Sequence, residues 1–286
     1  RDAGAEALDL RPIGRWDFDG DARDSAGKLH GTLTGNAEIV DGTLVLRGGA
    51  MLSSPIGNAL RAKSLEVLVQ LDPISQRAGG AMAVQTTDGK VFDGIVYAEV
   101  EQQVWLSGSD HHSRTSPFGA PREEEADQRP VRMTIVYAED GLISAYRDGE
   151  PYGKPYRTEA IEFPALGSQV VIGMRHGKDP SPSRTLTGRI FEARLYDRAL
   201  TPREVAASAS GTLLEVVTEQ MVAEALDDAQ AGLVAQLDEA ISNLESEVAH
   251  LERELSARGK ARANAGDPYF RIAHAIINSK ELIYVY

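Results

Sequence analysis

The sequence predicts a mainly β protein, a two-sheet antiparallel sandwich or jelly roll, followed by an α-helical C-terminal region. Three observations predict it. Asp-Gly pairs recur at 19–20, 41–42, 88–89, 93–94, 140–141 and 148–149, and Gly tolerates the positive φ that tight hairpin turns need. Between these pairs run short segments in which apolar and polar residues alternate, the period of a strand with one face in a core. Composition then changes near residue 200. Asp197 to Pro268 holds no Phe, Tyr or Trp, Arg203 to Asp267 holds no Pro, and Ala, Leu, Glu and Gln take over, which is helical composition.

In chain order the expected strands are Ile13–Phe18, Thr43–Arg47, Leu65–Leu71, Ala81–Thr86, Ile95–Val100, Gln103–Ser107, Val131–Ala138, Leu142–Arg147, Gln169–Gly173 and Arg189–Tyr196. The hairpin 131–153 is the clearest, with Asp140-Gly141 between its strands and Asp148-Gly149 after them. Val131, Met133, Ile135 and Tyr137 are expected to face the core, and Arg132 and Thr134 to face out. Between Ser107 and Pro130 lies a polar stretch without strand periodicity, expected as a functional or mobile loop on the sandwich rim.

The helical region opens at Thr201-Pro202-Arg203-Glu204, a capping box with Pro at the first helical position. Thr218 and Asp227 are candidate caps for two more helices. The last, about 228–257, carries Leu237, Ile241, Leu244, Val248, Leu251 and Leu255 at alternating spacings of four and three, an a/d seam. Such a seam packs on its own domain or on a partner helix as a coiled coil. Ile272, Ala273, Ile276 and Ile277 form a further apolar face, and Leu282–Tyr286 reads as extended.

The chain has 286 residues, 42% hydrophobic and 26% charged, which is globular composition. Its net charge of -13 argues against nucleic acid or an anionic membrane surface as a partner. Cysteine is absent, so thiol catalysis, disulfides and Cys-ligated zinc are excluded. Apolar runs fall short of membrane-spanning length. The start at Arg1 reads as a piece of a longer protein.

Three passages resemble the LamG-like jelly-roll family of the concanavalin A-like lectin/glucanase superfamily. They are GRWDFDGDARDSAGKLHGTL (14–33), the hairpin 131–153, and LTGRIFEARLYDRALTPREVAAS (186–208). The resemblance implies a LamG-like domain over 12–208 and a separate helical region over 209–286. The ending DPYFRIAHAIINSKELIYVY (267–286) is similar to the close of DUF1553, as in large planctomycete-type proteins that also carry a cytochrome c-like haem domain and DUF1549. That likeness implies an extracytoplasmic setting (periplasmic or cell surface) and polysaccharide capture for the other domains of the parent chain. Cys-x-x-Cys-His is absent, so any haem would lie outside this chain.

Asp17, Asp19, Asp21 and Asp24 place hard oxygen ligands at alternate positions. EF-hand spacing is ruled out, since Ala22 and Lys28 stand where Gly and Glu are required. The resemblance implies calcium at the sandwich rim, with Asp19 and Asp24 as candidate metal ligands. The other reading is a solvated turn with Asx caps. Family members often carry an acidic residue soon after the Gly of the closing strand, whereas here Ile190 and Phe191 follow Arg189 and Glu192 is the nearest carboxylate.

The long loop supplies the candidate ligand-binding residues His111, His112, Arg114 and Phe118. They read either as a polar surface loop or as a rim that hydrogen-bonds sugar hydroxyls, with Trp105 or Phe118 as a stacking platform. For Trp105 a core position is expected. Glycoside hydrolysis needs two acids across a cleft. Glu99 and Glu101 alternate, but Gln103 follows where a third acid belongs, and Glu123–Glu125 with Asp127 read as a charge run. The expected function is therefore a non-catalytic binding module, carbohydrate-binding, within a larger extracytoplasmic protein. A structural or protein-interaction module is the alternative, and a glycosidase-type enzyme comes last.

Overall fold

In the computed structural model the chain divides into two units, 1–214 and 215–286, and the structure describes residues 10–210, all in the first. The caps at Thr218 and Asp227, the seam of 237–255 and the DUF1553-like ending lie outside the described residues.

Thirteen strands form the described unit. They are β1 (Gly14–Trp16), β2 (Gly31–Val40), β3 (Thr43–Ser53), β4 (Lys63–Leu71), β5 (Gly79–Thr86), β6 (Phe92–Tyr97), β7 (Trp105–Ser109), β8 (Val131–Tyr137), β9 (Leu142–Arg147), β10 (Glu150–Pro151), β11 (Tyr156–Arg157), β12 (Ser168–Ile172) and β13 (Thr187–Tyr196). One α-helix, α1 (Pro202–Ala209), follows. The strands are hydrogen-bonded in the order β10-β9-β8-β4-β13-β3-β12-β5-β6-β7, and every named strand pair is antiparallel.

The ribbon becomes a sandwich because β3 serves two layers. Leu44 to Arg47 in its first half pair with β13, and Met51 and Leu52 pair with β12. Between the halves stand Gly48, at φ +90°, and Gly49, where a Cβ would collide with the Asn36–Ala37 backbone of β2. Only Gly lets the hairpin bend there. The front layer is thus β10-β9-β8-β4-β13 and the start of β3, and the back layer is the end of β3 with β12-β5-β6-β7.

The two layers share one apolar core that includes Trp16, Leu65, Val67, Val69, Ile95, Tyr97, Trp105, Met133, Ile135, Ile172 and Leu195, all between 0% and 5% exposed. Val131, Met133, Ile135 and Tyr137 enter it as alternation predicts. Arg132 and Thr134 do lie on the opposite face, but they are buried there too. The outer face is covered by α1, whose Val205 packs with Val136, Tyr146, Tyr196 and Leu200. Thr201 caps α1 in a complete capping box with Glu204.

The observed strands depart from the expected ones in places. Alternation does not mark β2, because its Gly- and Asn-containing, half-exposed sequence lacks a clear apolar face; only the likeness of 14–33 to the family points to a strand there. The Asp93-Gly94 pair is mid-strand in β6 rather than a turn. Gly is required there because a Cβ would sit 2.7 Å from the Ala83 Cβ. Asp148-Gly149 is a hairpin turn with both residues at positive φ, 51° and 87°, as a type I′ turn demands.

Candidate functional site

The outer face of the front layer divides into three zones along its strands. At one end β4, β13 and β3 form the floor of an open groove of about 690 Å³. In the middle lies a lattice of buried charges. At the other end α1 covers the sheet.

The groove follows from cross-strand register. Arg189 of β13 stands between Gln70 of β4 and Val45 of β3. One step along, Thr187 is paired with Arg47, and Asp72 just beyond β4 donates its N–H to the Thr187 carbonyl at 3.0 Å. Asp127 closes the flank, where its carbonyl accepts a hydrogen bond from Gln70 Nε2 at 3.1 Å. Gly188 lies between the rows at φ +146°, and a Cβ there would collide with the Gln70 carbonyl oxygen. The floor therefore presents amide, guanidinium, hydroxyl and carboxylate groups in a small two-row array. Arg47 is engaged by Glu38 at 2.8 Å. Arg189 donates to Thr43 Oγ1 at 3.3 Å. The carboxylates of Asp72 and Asp127 form no hydrogen bond or ion pair among the described residues.

Next along the same strands, Arg132 donates to Glu66 and to Glu192, each at 2.9 Å. Arg194 contacts the same two acids at 3.1 and 2.7 Å. Arg15 adds a third cation on Glu192 at 3.0 Å, and Ser208 of α1 donates to Glu66 at 2.8 Å. Burial disfavours the Arg194 cation, but Glu66 and Glu192 outweigh that and raise its pKa. Glu66 and Glu192 share two arginines, so they are paired carboxylates. The Glu66 side chain is 0% exposed. Both carboxylates are buried and already committed to guanidinium donors.

Two of the four candidate loop residues, Arg114 and Phe118, are placed otherwise than expected. The 107–130 stretch does not stand free on the rim. Phe118 is 2% exposed, packed in the core against Tyr156, and its carbonyl accepts from Lys154 N. Arg114 is also buried, donating to Asp93 at 3.0 Å, Asp110 at 2.6 Å and the Phe92 carbonyl. These two are structural, because an apolar ring and a forked cation satisfy the interior that the loop covers. His111 and His112 are exposed on a three-residue 3-10 turn at φ 51° and 56°. Trp105 is fully buried as expected, and its indole N–H donates to Glu123 at 3.1 Å. Neither Trp105 nor Phe118 is a stacking platform.

Glu123 was not expected to matter, since the sequence reads it as part of a solvated run. Its buried carboxylate accepts two hydrogen bonds from Arg147, one from Trp105 and two from the backbone N–H groups of Glu125 and Ala126. Burial pushes its pKa up, but the bonds from Arg147 and the backbone prevail and hold it below the ordinary value. Lys63 was equally hidden. It is 1% exposed between the layers, 2.7 Å from Asp93, with the Tyr137 and Phe163 rings at 4.5 and 4.7 Å. Burial lowers its pKa, with Asp93 opposing.

The Asp-rich turn separates into two roles. Asp24 is buried, and its carboxylate accepts from the N–H groups of Arg15, Ala26 and Leu29 at 2.9, 2.9 and 2.8 Å. Asp19 is exposed. Three N–H donors aimed at one carboxylate leave a poor seat for a cation, so this pair does not fit calcium. Among the described residues no group of three or more His, Asp or Glu gathers as a metal site. No helix among them is long and apolar enough to cross a membrane.

A family model described as the concanavalin A-like lectin/glucanases superfamily matches residues 54–206. Among solved structures, domain 4 of an extracellular GH43 arabinanase from Geobacillus stearothermophilus, in complex with arabinotriose, is similar at TM-score 0.54 and 20% identity. That match covers 70% of this chain and 98% of that one. A Trypanosoma rangeli sialidase is similar at TM-score 0.53 and 17% identity over 72% of this chain and 34% of the sialidase. The likeness thus spans about a third of that enzyme. At these identities both show the fold alone. A comparison with curated proteins returns no match.

Proposed function

We propose that this chain, which belongs to the concanavalin A-like lectin/glucanases superfamily, is a non-catalytic carbohydrate-binding module that holds its glycan in the groove over β4, β13 and β3. The observation that carries the reading is the two-row array on the groove floor. Hydroxyl groups both donate and accept, so a sugar needs acceptors and donors interleaved at short range. Here Asp72 and Asp127 accept, Arg189 and Arg47 donate, and Gln70 and Thr187 do both. The volume of about 690 Å³ falls in the usual range of ligand clefts.

Recognition by hydrogen bonds rather than ring stacking follows from the groove lining, which holds no aromatic residue among those described. Trp16, Trp105, Phe18, Phe92, Phe118 and Phe163 are all at most 2% exposed. Calcium has no part in this reading, since neither Asp19 nor Asp24 lines the groove. A non-catalytic role is supported by Glu66 and Glu192, the paired acids nearest the groove along β4 and β13, which are spent on Arg132 and Arg194. An extracytoplasmic setting within a larger protein suits polysaccharide capture.

A glycan array probed with the full chain, with calcium or with chelator, tests the proposal. We expect binding in both conditions, a loss of more than tenfold on the double substitution Gln70→Ala with Asp72→Asn, and no release of reducing ends. Absence of binding to every glycan, or cleavage of one, overturns it.

A further inference from the structure

We infer that the groove selects a glycan whose sugar bears a carboxylate, a hexuronate for instance, with Arg189 as the anion anchor. This rests on the carbohydrate-binding reading above and deepens it.

The inference starts from how the charges of the groove are committed. Arg47 is paired with Glu38 at 2.8 Å. Arg189 has only a hydroxyl, Thr43 Oγ1 at 3.3 Å, and no carboxylate within ion-pair distance among the described residues. Its cross-strand neighbours, Gln70 and Val45, are uncharged. A guanidinium with uncharged neighbours therefore stands in the middle of the floor. The acids stand at the margins, Asp127 on the flank beyond Gln70 and Asp72 in the adjoining row.

That layout matches a sugar with an anionic group at one corner and hydroxyls elsewhere. The planar fork of Arg binds carboxylate bidentately, and carboxylates accept from sugar hydroxyls. The groove lining among the described residues holds no aromatic side chain, so affinity comes from such polar contacts, and a charge-assisted bond is the strongest kind. The chain's net charge of -13 does not cancel this for a short ligand. At physiological ionic strength charges beyond about 8 Å are largely screened.

The probe is trigalacturonate against its methyl ester, which keeps shape and hydroxyls and loses the charge. Calorimetric titration of the full chain should show the acid binding at least about tenfold more tightly, about 1.4 kcal/mol, the low end for a hydrogen bond to a charged group. Raising salt should narrow the gap. Arg189→Gln should abolish the preference by weakening the acid at least about tenfold more than the ester. Arg189→Lys, which keeps charge without the fork, should retain part of it. A thermal melt of each variant confirms that it is folded. Equal binding of acid and ester, or a preference that survives Arg189→Gln, overturns the inference. A neutral arabinan trimer that binds while trigalacturonate shows no advantage refutes the acidic class and leaves the carbohydrate reading standing. Failure of all three to bind sinks this inference, and failure across the whole glycan array sinks both.

Discussion

Replacing Glu123 by Gln is the sharpest test of how the 110–130 segment is held. Glu123 Oε2 accepts from Trp105 Nε1 at 3.1 Å and Arg147 Nε at 2.8 Å, and Oε1 accepts from Arg147 Nη2 and two backbone N–H groups. Glutamine keeps one acceptor and turns an NH₂ toward donors, so one neutral and one charge-assisted bond are lost. At about 1 and about 2 kcal/mol respectively, the cost is about 3 kcal/mol. For a domain of this size that lowers Tm by about 6–12 °C. Trp105 fluorescence during thermal unfolding reads the change directly.

The effect has a defined pH window. The Glu123 carboxyl has a pKa held below its ordinary 4.5 in the folded protein. Its contribution is therefore present above that ordinary value and is lost as pH falls through the lowered folded value. Wild type and variant should differ fully at neutral pH and converge in acid. A Tm drop under about 1 °C at pH 7, or a gap that widens on acidification, would refute this anchoring role.

Two further outcomes follow from the same bonding pattern. Glu66→Ala removes one acid from both Arg132 and Arg194 and should cost about 3–5 kcal/mol in denaturant unfolding, the penalty of a broken buried ion pair; a near-neutral result would mean the lattice is already hydrated. Asp24→Ala strips three backbone N–H groups of their acceptor and should cost about 2 kcal/mol, with wild-type Tm unmoved by excess calcium or chelator; a calcium-dependent rise in Tm would restore the metal reading of Asp24.

Local signals carried most of the fold. Leu142–Arg147 is a strand with the bounds its alternation predicts, and Asp148-Gly149 turns after it. Thr201 and Glu204 form the capping box that their spacing announces. What the sequence concealed depends on long-range pairing. Asp93-Gly94 looks like a turn until Lys63, thirty residues away, places a cation on Asp93. Glu123 looks solvated until Trp105 and Arg147 converge on it. The groove residues were invisible for the same reason. Gln70 and Arg189 meet only because β4 and β13 are neighbours, and each alone is an ordinary polar residue of an alternating strand. A partial signal did exist. Ser64, Glu66 and Gln70 are polar positions on the outer face of β4, a face that β4 would not need to make polar if it were simply buried.

The most direct measurement is a map of backbone amide shifts in isotope-labelled protein as a glycan from the array hits is titrated in. A groove-binding module predicts saturable changes concentrated at Gln70, Asp72, Asp127, Thr187 and Arg189. Changes centred on His111 and His112 instead, or spread without saturation, would contradict it.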